Sequence, residues 1–266
     1  MIQRFGQTAG RRYLQAAVFS LPDAYAQPNR FVNIQTAFAD FVSLIFPRVC
    51  LACEEALRRG EQHICTNCRV ELPYTGYHTL APAQNPLARR FWGKVPLRYT
   101  LSYLKFLRRG RVQHLLHQLK YKGQQEVGQV LGQWYGAELA AQGFAAEFDL
   151  IVPVPLHPRK LAQRGYNQAD SFAEGLASAL SAPWSAHALR RTAHTKSQTQ
   201  KNRVERWQNV ANVFEVTESS AIAGKRILVV DDVLTTGATL EACAAVLLAA
   251  GAQEVSIATI ASAELA

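Results

Sequence analysis

The chain has 266 residues, of which 48% are hydrophobic and 18% are charged. These values are typical of a globular protein, and the length allows one large α/β domain or a domain of about 150 residues with a smaller unit. No stretch of about 18 apolar residues lacks a charge or a helix breaker, so the sequence predicts no membrane span. The net charge of +9 favours anionic partners over cationic ones.

Residues 1–40 are predicted to form an N-terminal extension that is either poorly ordered or helical. Arg11 and Arg12, followed by an apolar patch, resemble an export signal, but Ser20 and Pro22 interrupt the hydrophobic stretch. We therefore predict a cytoplasmic protein.

Four of the five cysteines form two Cys-x-x-Cys pairs, Cys50 with Cys53 and Cys65 with Cys68. Two such turns complete a tetrahedral site of four sulfurs, which predicts a structural zinc ion in a ribbon module over residues 41–75. Two disulfides and an iron centre are the alternatives. Because sulfur fills every position, the metal is expected to fold the segment and not to catalyse. The segment itself does not decide between a scaffold and an adaptor.

Residues 85–125 contain many basic side chains and no Asp or Glu. Such a stretch favours phosphates, a nucleotide or nucleic acid, although a solvated basic face explains the charge equally well. Tyr99, Tyr103 and Phe106 interleave with the cations and are able to stack on bases; burial in the core is the more common alternative. The basic residues are Arg89, Arg90, Lys94, Arg98, Lys105, Arg108, Arg109, Arg111, Lys120 and Lys122.

From residue 85 to residue 266 the pattern predicts an α/β domain. Helical spacing or composition marks 112–119, 127–142, Asn167 to Leu180 and Ala238 to Ala250, and short apolar runs mark strands at Leu150 to Val154, Ile227 to Val230 and Val255 to Ile260. Helices that alternate with buried strands imply a parallel sheet with helices packed on it. The polar stretch from Thr192 to Val210 is predicted to be an exposed excursion.

The stretch from Ile227 to Thr239 predicts a site for a phosphorylated ribose. Asp231 and Asp232 leave the carboxyl end of a buried strand, where ligands of open α/β sheets bind, and can accept hydrogen bonds from ribose hydroxyls. The loop that follows can surround a phosphate with backbone N–H groups and hydroxyls at a helix start. A strand capped by acids and a threonine helix cap is the plainer alternative. The loop residues are Thr235, Thr236, Gly237, Ala238 and Thr239.

Three cations, Arg159, Lys160 and Arg164, follow the strand that is predicted to end at Val154. Each alone is most simply a surface cation, but as a set beside a strand end they favour stabilisation of a pyrophosphate leaving group. His157 either shapes the loop or transfers a proton.

Lys120 and Tyr121 end a predicted helix. A cation there offsets the helix dipole, and contact with the ligand is the alternative of equal weight.

These motifs together resemble the ComF family of competence-related proteins, over residues 41 to the end. Besides the cysteines and the 227–239 stretch, the resemblance is carried by Leu119–Gly123, Val152–Lys160, Gln163–Gln168, and Gln198 followed by Arg206 and Asn209–Val210. Where the family has a Gly-Ala pair before a Phe, this chain has Asn212 and Val213.

The resemblance implies a type I phosphoribosyltransferase-like parallel sheet flanked by helices behind a zinc ribbon. It also implies binding of phosphoribosyl pyrophosphate with Mg²⁺, and a link to uptake or handling of transforming DNA. Asp231 and Asp232 would then hold the ribose, 235–239 the 5′-phosphate, and Gln198 would lie in a loop that closes over the site.

Two classes of function remain open from the sequence. One is an enzyme that transfers ribosyl phosphate to a nitrogen acceptor with loss of pyrophosphate, mainly by positioning and charge neutralisation. The other is an adaptor for DNA uptake that binds single-stranded DNA or a helicase partner, or a nucleotide sensor without turnover. The acceptor base and the oligomeric state, a homo-oligomer included, carry no sequence signature.

Overall fold

The computed structural model describes residues 47–192 and 213–263. The predicted extension over residues 1–40, Gln198 and nearly all of the predicted excursion lie outside the described residues. The described residues belong to one compact unit, Pro47–Ala266. Within these described ranges, no helix is both long and apolar enough to cross a membrane.

The centre of the fold is a parallel sheet of four strands in the order β1-β6-β5-β2, which confirms the predicted α/β class. Its strands are mostly Val, Ile, Leu and Ala and are buried on both faces, as parallel strands usually are. They are β1 Thr100–Phe106, β2 Leu150–Pro153, β5 Arg226–Leu234 and β6 Glu254–Ala263. Two short strands, β3 Leu189–Arg191 and β4 Phe214–Val216, form a separate antiparallel pair.

Helices cover both faces of the sheet. Leu228 and Val230 face a core cluster that α2, α3 and α5 complete, whereas Ile227 and Val229 face a second cluster that α7 completes. Because successive side chains of a strand point to opposite faces, the residues of β5 contribute alternately to the two clusters. The helices are α1 Thr66–Glu71, α2 Arg111–Tyr121, α3 Glu126–Ala141, α4 Pro158–Arg164, α5 Gln168–Leu180, α6 Ser219–Ile222 and α7 Ala238–Ala249.

β1 is a strand that the sequence patterns did not reveal. It lies at one edge of the sheet and pairs with β6, the last strand of the chain. Tyr103 in this strand is only 2% exposed and stacks on the Tyr135 ring at a centroid distance of 4.7 Å. Its ring therefore belongs to the core, and the interpretation of Tyr103 as a base-stacking surface residue is wrong.

β5 is longer than predicted, because its hydrogen bonds to β6 continue past the acids. Val233 pairs with Ala261 and Leu234 pairs with Ser262, whereas β2 already ends beside Val230. The prolines in and after β2 have no N–H group to extend its ladder. Asp231 and Asp232 thus lie inside a strand, and not in a loop after it, on the side where its neighbour β2 has stopped.

The two edges of the sheet are covered by neighbouring chain segments. At β1, the N–H of Lys105 donates to the carbonyl of Pro73 at 2.8 Å, and the N–H of Thr75 donates to the carbonyl of Tyr103 at 2.9 Å. At β2, the N–H of Ile151 donates to the carbonyl of Pro183 at 2.9 Å. Both edge strands therefore satisfy backbone groups outside the four-stranded ladder.

Helices α3 and α5 pack with their backbones in close contact. Gly128, Gly132 and Gly136 form one face of α3, at spacings of four residues, and Gly175 faces them from α5. A Cβ atom at position 175 would lie 2.9 Å from the backbone nitrogen of Gln133 and closer still to the carbonyl oxygen of Gln129. Only glycine fits this crossing.

The four-cysteine segment packs directly on the sheet domain. Cys50, Cys68 and Leu72 belong to the same core cluster as Leu104 and Leu116. On the surface, Arg69 in α1 lies over the ring of Trp134, and Glu71 pairs with Arg111. The two predicted modules therefore share one core.

Candidate functional site

A cavity of about 170 Å³ opens at the carboxyl ends of β2 and β5. This is the edge of the sheet at which the sequence predicted a ligand site. The structure brings together six of the predicted site residues in its lining, from β5, α2, α4 and α7. They are Asp231, Asp232, Lys120, Lys160, Arg164 and Thr239.

The two adjacent aspartates face different surroundings. The Asp232 carboxylate pairs with Nζ of Lys120 at 2.8 Å, and its side chain is 17% exposed. Asp231 accepts a hydrogen bond from the backbone N–H of Asp232 at 2.8 Å. Burial, together with the negative charge of Asp232, raises the pKa of Asp231 well above its usual range. A pair of crowded carboxylates lining an open cavity is typical of a binding site rather than of a core.

The loop from Thr235 to Thr239 connects β5 to α7. Thr235 and Thr236 are exposed, and Oγ of Thr236 accepts a weak hydrogen bond from the N–H of Ala238 at 3.4 Å. Of the five loop residues, only Thr239 lines the 170 Å³ cavity, and Thr235 lines an adjoining one. The loop therefore lies beside the acids, with two threonine side chains exposed to solvent.

The structure gives a reason for glycine at position 237 that the sequence did not show. Its φ of +86° lies in the left-handed region, and a Cβ atom there would lie 2.9 Å from Cζ of Phe91. Phe91 belongs to a turn far upstream in the chain and is 2% exposed. Close packing on Phe91 therefore requires glycine here whether or not a phosphate also approaches the backbone.

The cations after β2 lie on α4, and the structure separates them. Lys160 and Arg164 line the cavity, whereas Arg159 is exposed and does not. Arg164 donates to the Gln168 side chain at 2.6 Å and lies 5.3 Å above the Tyr121 ring. Tyr121, also a predicted ligand residue, is 61% exposed and lines the adjoining cavity.

His157 has a clear local role. Its Nδ1 atom accepts a hydrogen bond from the N–H of Arg159 at 3.2 Å and so caps α4. This geometry matches the loop-shaping interpretation of His157.

Two further residues of this cavity escaped the sequence analysis. Arg191, at the end of β3, lines it and adds a fourth cation to Lys120, Lys160 and Arg164. Asn167 caps α5, and its Nδ2 atom donates to the carbonyl of Val154 at the end of β2. Arg191 lies in no recognisable motif, and the Gln163–Gln168 motif that contains Asn167 does not by itself indicate that this side chain reaches the cavity.

Arg90 is not available to a polyanion, contrary to the interpretation of residues 85–125 as one basic surface. It is 8% exposed, and its guanidinium donates to the carbonyls of Leu234, Thr235 and Ala263. Burial lowers the pKa of Arg90. This side chain ties the end of β5 and the start of the candidate phosphate loop to the end of β6.

The four paired cysteines come together as a metal site. Their sulfur atoms all lie within 4.8 Å of one another, with Cys53 and Cys65 at 3.8 Å, and no cysteine in the described part of the chain forms a disulfide. Backbone N–H groups point at the sulfurs, as from Cys65 to Cys50 at 3.3 Å and from Cys68 to Cys65 at 3.4 Å. This is the donor set of a structural metal centre.

The electrostatics of the cluster also call for a cation. Burial tends to raise the pKa of Cys50, but the N–H donors outweigh it and lower this pKa to about 7. Burial and the neighbouring thiols raise the pKa of Cys68. Thiolates this close together repel one another, and a bound cation would offset that repulsion.

Comparison with known proteins places these sites in a family. A model described as "Phosphoribosyl transferase domain" matches residues 167–264. The DNA utilization protein YhgH of Escherichia coli (strain K12) is 29% identical over 212 residues, which cover 79% of this chain and 88% of that protein. Competence protein ComFC of Bacillus subtilis (strain 168) is 28% identical over 204 residues, which cover 77% and 79%.

These matches support membership of the ComF family. The matched phosphoribosyltransferase region includes the stretch from Asp231 to Thr239 and begins after α4. The parallel sheet flanked by helices and the four-cysteine cluster near the N-terminal end agree with the predicted architecture. The solved structure of the allosteric regulatory enzyme of purine biosynthesis is 25% identical, with a TM-score of 0.37, over 50% of this chain and 26% of that one.

Proposed function

We propose that this ComF-family protein binds phosphoribosyl pyrophosphate with Mg²⁺ in the 170 Å³ cavity. The observation that carries the proposal is the meeting of two acids with four cations around one opening at the end of β5. The carboxylates suit ribose hydroxyls and a metal ion, and the cations suit the phosphate groups. Either group of residues alone would bind only part of such a ligand.

Each part of the ligand has a candidate partner. Asp231 and Asp232 accept from the ribose hydroxyls, and the exposed hydroxyls and N–H groups from Thr235 to Thr239 receive the 5′-phosphate at the start of α7. Lys160 and Arg164 face the pyrophosphate. Gln198, which lies outside the described residues, is proposed to approach the ligand.

The geometry favours transfer of the ribosyl phosphate to a nitrogen acceptor. The nitrogen forms a bond to the anomeric carbon as the bond from that carbon to the pyrophosphate oxygen breaks, and pyrophosphate leaves with the electron pair. Positive charge develops on the sugar and negative charge on the leaving group, so nearby carboxylates and cations stabilise both. Arg159, Lys160 and Arg164 are the proposed catalytic cations, and of these Lys160 and Arg164 line the cavity.

We also propose that the metal at the four cysteines is zinc and that it supports folding. Four sulfur ligands leave no position open for a substrate. In the cell, we propose a role in the uptake or processing of transforming DNA, since the relatives are named for DNA utilization and competence.

We expect phosphoribosyl pyrophosphate with Mg²⁺ to bind the wild-type protein and to bind the Asp231→Asn/Asp232→Asn variant about 100-fold more weakly or worse. Each lost charge-assisted hydrogen bond costs about 1.5–3 kcal/mol. Isothermal titration calorimetry measures both affinities. Asp231→Asn relieves the crowding of the two carboxylates, so we expect the variant to fold.

The matched control is Glu55→Gln/Glu218→Gln, which removes two exposed acids elsewhere. Its affinity should equal that of the wild type. Equal binding by the wild type and the doubly substituted aspartate variant would contradict the proposed site. Release of pyrophosphate, assayed with a panel of bases, then distinguishes an enzyme from a sensor.

The adaptor function has support from one observation. Arg108 and Arg109 are exposed at the start of α2, and Lys122 is exposed after its end. If these cations contact the phosphates of single-stranded DNA, the affinity must fall steeply as the salt concentration rises. A salt series with a labelled oligonucleotide tests this, and binding that is independent of salt would count against the adaptor.

A further inference from the structure

A second cavity, of about 570 Å³, adjoins the proposed ribose-phosphate site. It lies between α2 and the carboxyl ends of β1, β5 and β6. Its volume falls within the range of small-molecule sites, about 300–1,000 Å³. The cavity is therefore large enough for a ligand of its own.

The two cavities meet at a shared side chain. Lys120 lines both, and its ion pair with Asp232 stands between them. Val233, which lines the larger cavity, directly follows Asp232 of the proposed ribose site in β5. A molecule in the larger cavity therefore lies next to the sugar, where an acceptor must lie for transfer.

The walls of the larger cavity suit a flat, apolar body. Phe106, Leu116 and Val233 contribute apolar surface. The rings of His117 and Tyr121 lie 5.1 Å apart in a tilted arrangement, and Tyr121 is 61% exposed. Such exposed rings offer a planar ligand a face or an edge to pack against.

The charges around the cavity indicate which charge the ligand carries. Arg108 and Lys120 line it, and none of the described residues in its lining is acidic. Asp232 already partners Lys120, whereas no carboxylate among the described residues forms an ion pair with Arg108, which supplies positive charge for a ligand. A cationic ligand would meet repulsion here, whereas an anionic substituent would find a partner.

We infer that the 570 Å³ cavity binds a planar heteroaromatic ligand with an anionic substituent, and that this ligand is the acceptor. The role as acceptor rests on the proposed function; the ligand class rests on the cavity alone. A free heteroaromatic carboxylate and a nucleotide share this chemistry. The two differ in size and in the position of the charge.

Four probes test the inference on the full chain with its metal. Quinoline-2-carboxylate is compared with its neutral amide, and thymidine 5′-monophosphate is compared with thymidine. We expect at least one anionic probe to bind about 10-fold more tightly than its neutral counterpart, by calorimetry. The anion that binds more tightly shows whether the ligand resembles a free heteroaromatic carboxylate or a nucleotide. Equal binding of the anionic and neutral forms in both pairs would overturn the inference.

Two matched pairs of variants locate the binding. Gln113→Trp places a ring in the cavity mouth and should abolish probe binding, whereas Gln133→Trp, at an exposed position on α3, should not. Arg108→Gln should remove most of the preference for the anion, and Arg59→Gln should keep it. Probe binding that survives Gln113→Trp would overturn the inference.

The outcomes separate this inference from the proposed function. If the protein binds phosphoribosyl pyrophosphate but none of the probes, the inference fails and the proposed function stands. If the probes bind as expected but phosphoribosyl pyrophosphate does not, the proposed function and the acceptor role fail. Asp231→Asn/Asp232→Asn should bind the anionic probe and lose only the sugar ligand.

Discussion

Cys50→Ser is expected to lose the metal and to unfold far more than the cysteine segment. Structural zinc contributes about 10–16 kcal/mol in small zinc peptides, which is comparable to the whole stability of a typical domain. Because Cys50 and Leu72 share a core with Leu104, disorder in the segment exposes the apolar face of β1. Metal analysis should fall from about one zinc per chain to near zero, and the cooperative thermal transition should be lost.

Cys243→Ser is the control for this prediction. Cys243 is buried in α7, far from the four-cysteine cluster in sequence and outside it in space. Its substitution by serine buries a hydroxyl and lowers stability modestly, but the metal content should stay at about one per chain. A wild-type protein that keeps its thermal transition after complete chelation would refute a structural role of the metal.

Gly175→Ala is expected to lower the free energy of unfolding by about 2–4 kcal/mol, although alanine favours helices more than glycine by up to about 1 kcal/mol. The added methyl group meets backbone atoms of Gln129, Gly132 and Gln133, which cannot rotate away. α3 and α5 must therefore separate. Thermal unfolding followed by circular dichroism should show a midpoint lower by about 5–15 °C.

Ser178→Ala on the same helix is the matched control. Ser178 is exposed, so its substitution changes helix propensity without any clash, and its midpoint should remain within about 2 °C of the wild type. A Gly175→Ala protein as stable as Ser178→Ala would show that the helix crossing tolerates a side chain.

Local patterns in the sequence were sufficient for the longer helices and for β2, β5 and β6, but not for β1 or for the short elements α1, α4, α6, β3 and β4. The helices α2, α3 and α5 carry repeated apolar residues on one face, and β2 and β5 are short apolar runs between breakers. β1 instead mixes Ser102 and Lys105 with aromatics in a basic stretch, and it pairs with β6, which begins more than 150 residues later. The true length of β5 was hidden for the same reason, because β6 determines it.

The candidate site divides in a similar way. Asp231, Asp232 and Thr239 belong to one local motif, so their proximity could be predicted. The pairing of Asp232 with Lys120, the arrival of Arg191 and the burial of Arg90 depend on residues that are distant in the chain. No periodicity or spacing encodes such contacts. Basic residues that look alike in sequence can therefore be buried in the fold, as Arg90 is, or line the cavity, as Lys120 does.

The strip of chain from Pro73 to Thr75 has a protective consequence for the sheet. It is joined to the metal-binding segment and occupies the outer hydrogen-bonding groups of β1 at Tyr103 and Lys105. Without it, a seven-residue strand would present open donors and acceptors to any other unpaired strand. Loss of the metal would thus expose this edge of β1, and unpaired strands of other molecules could then pair with it.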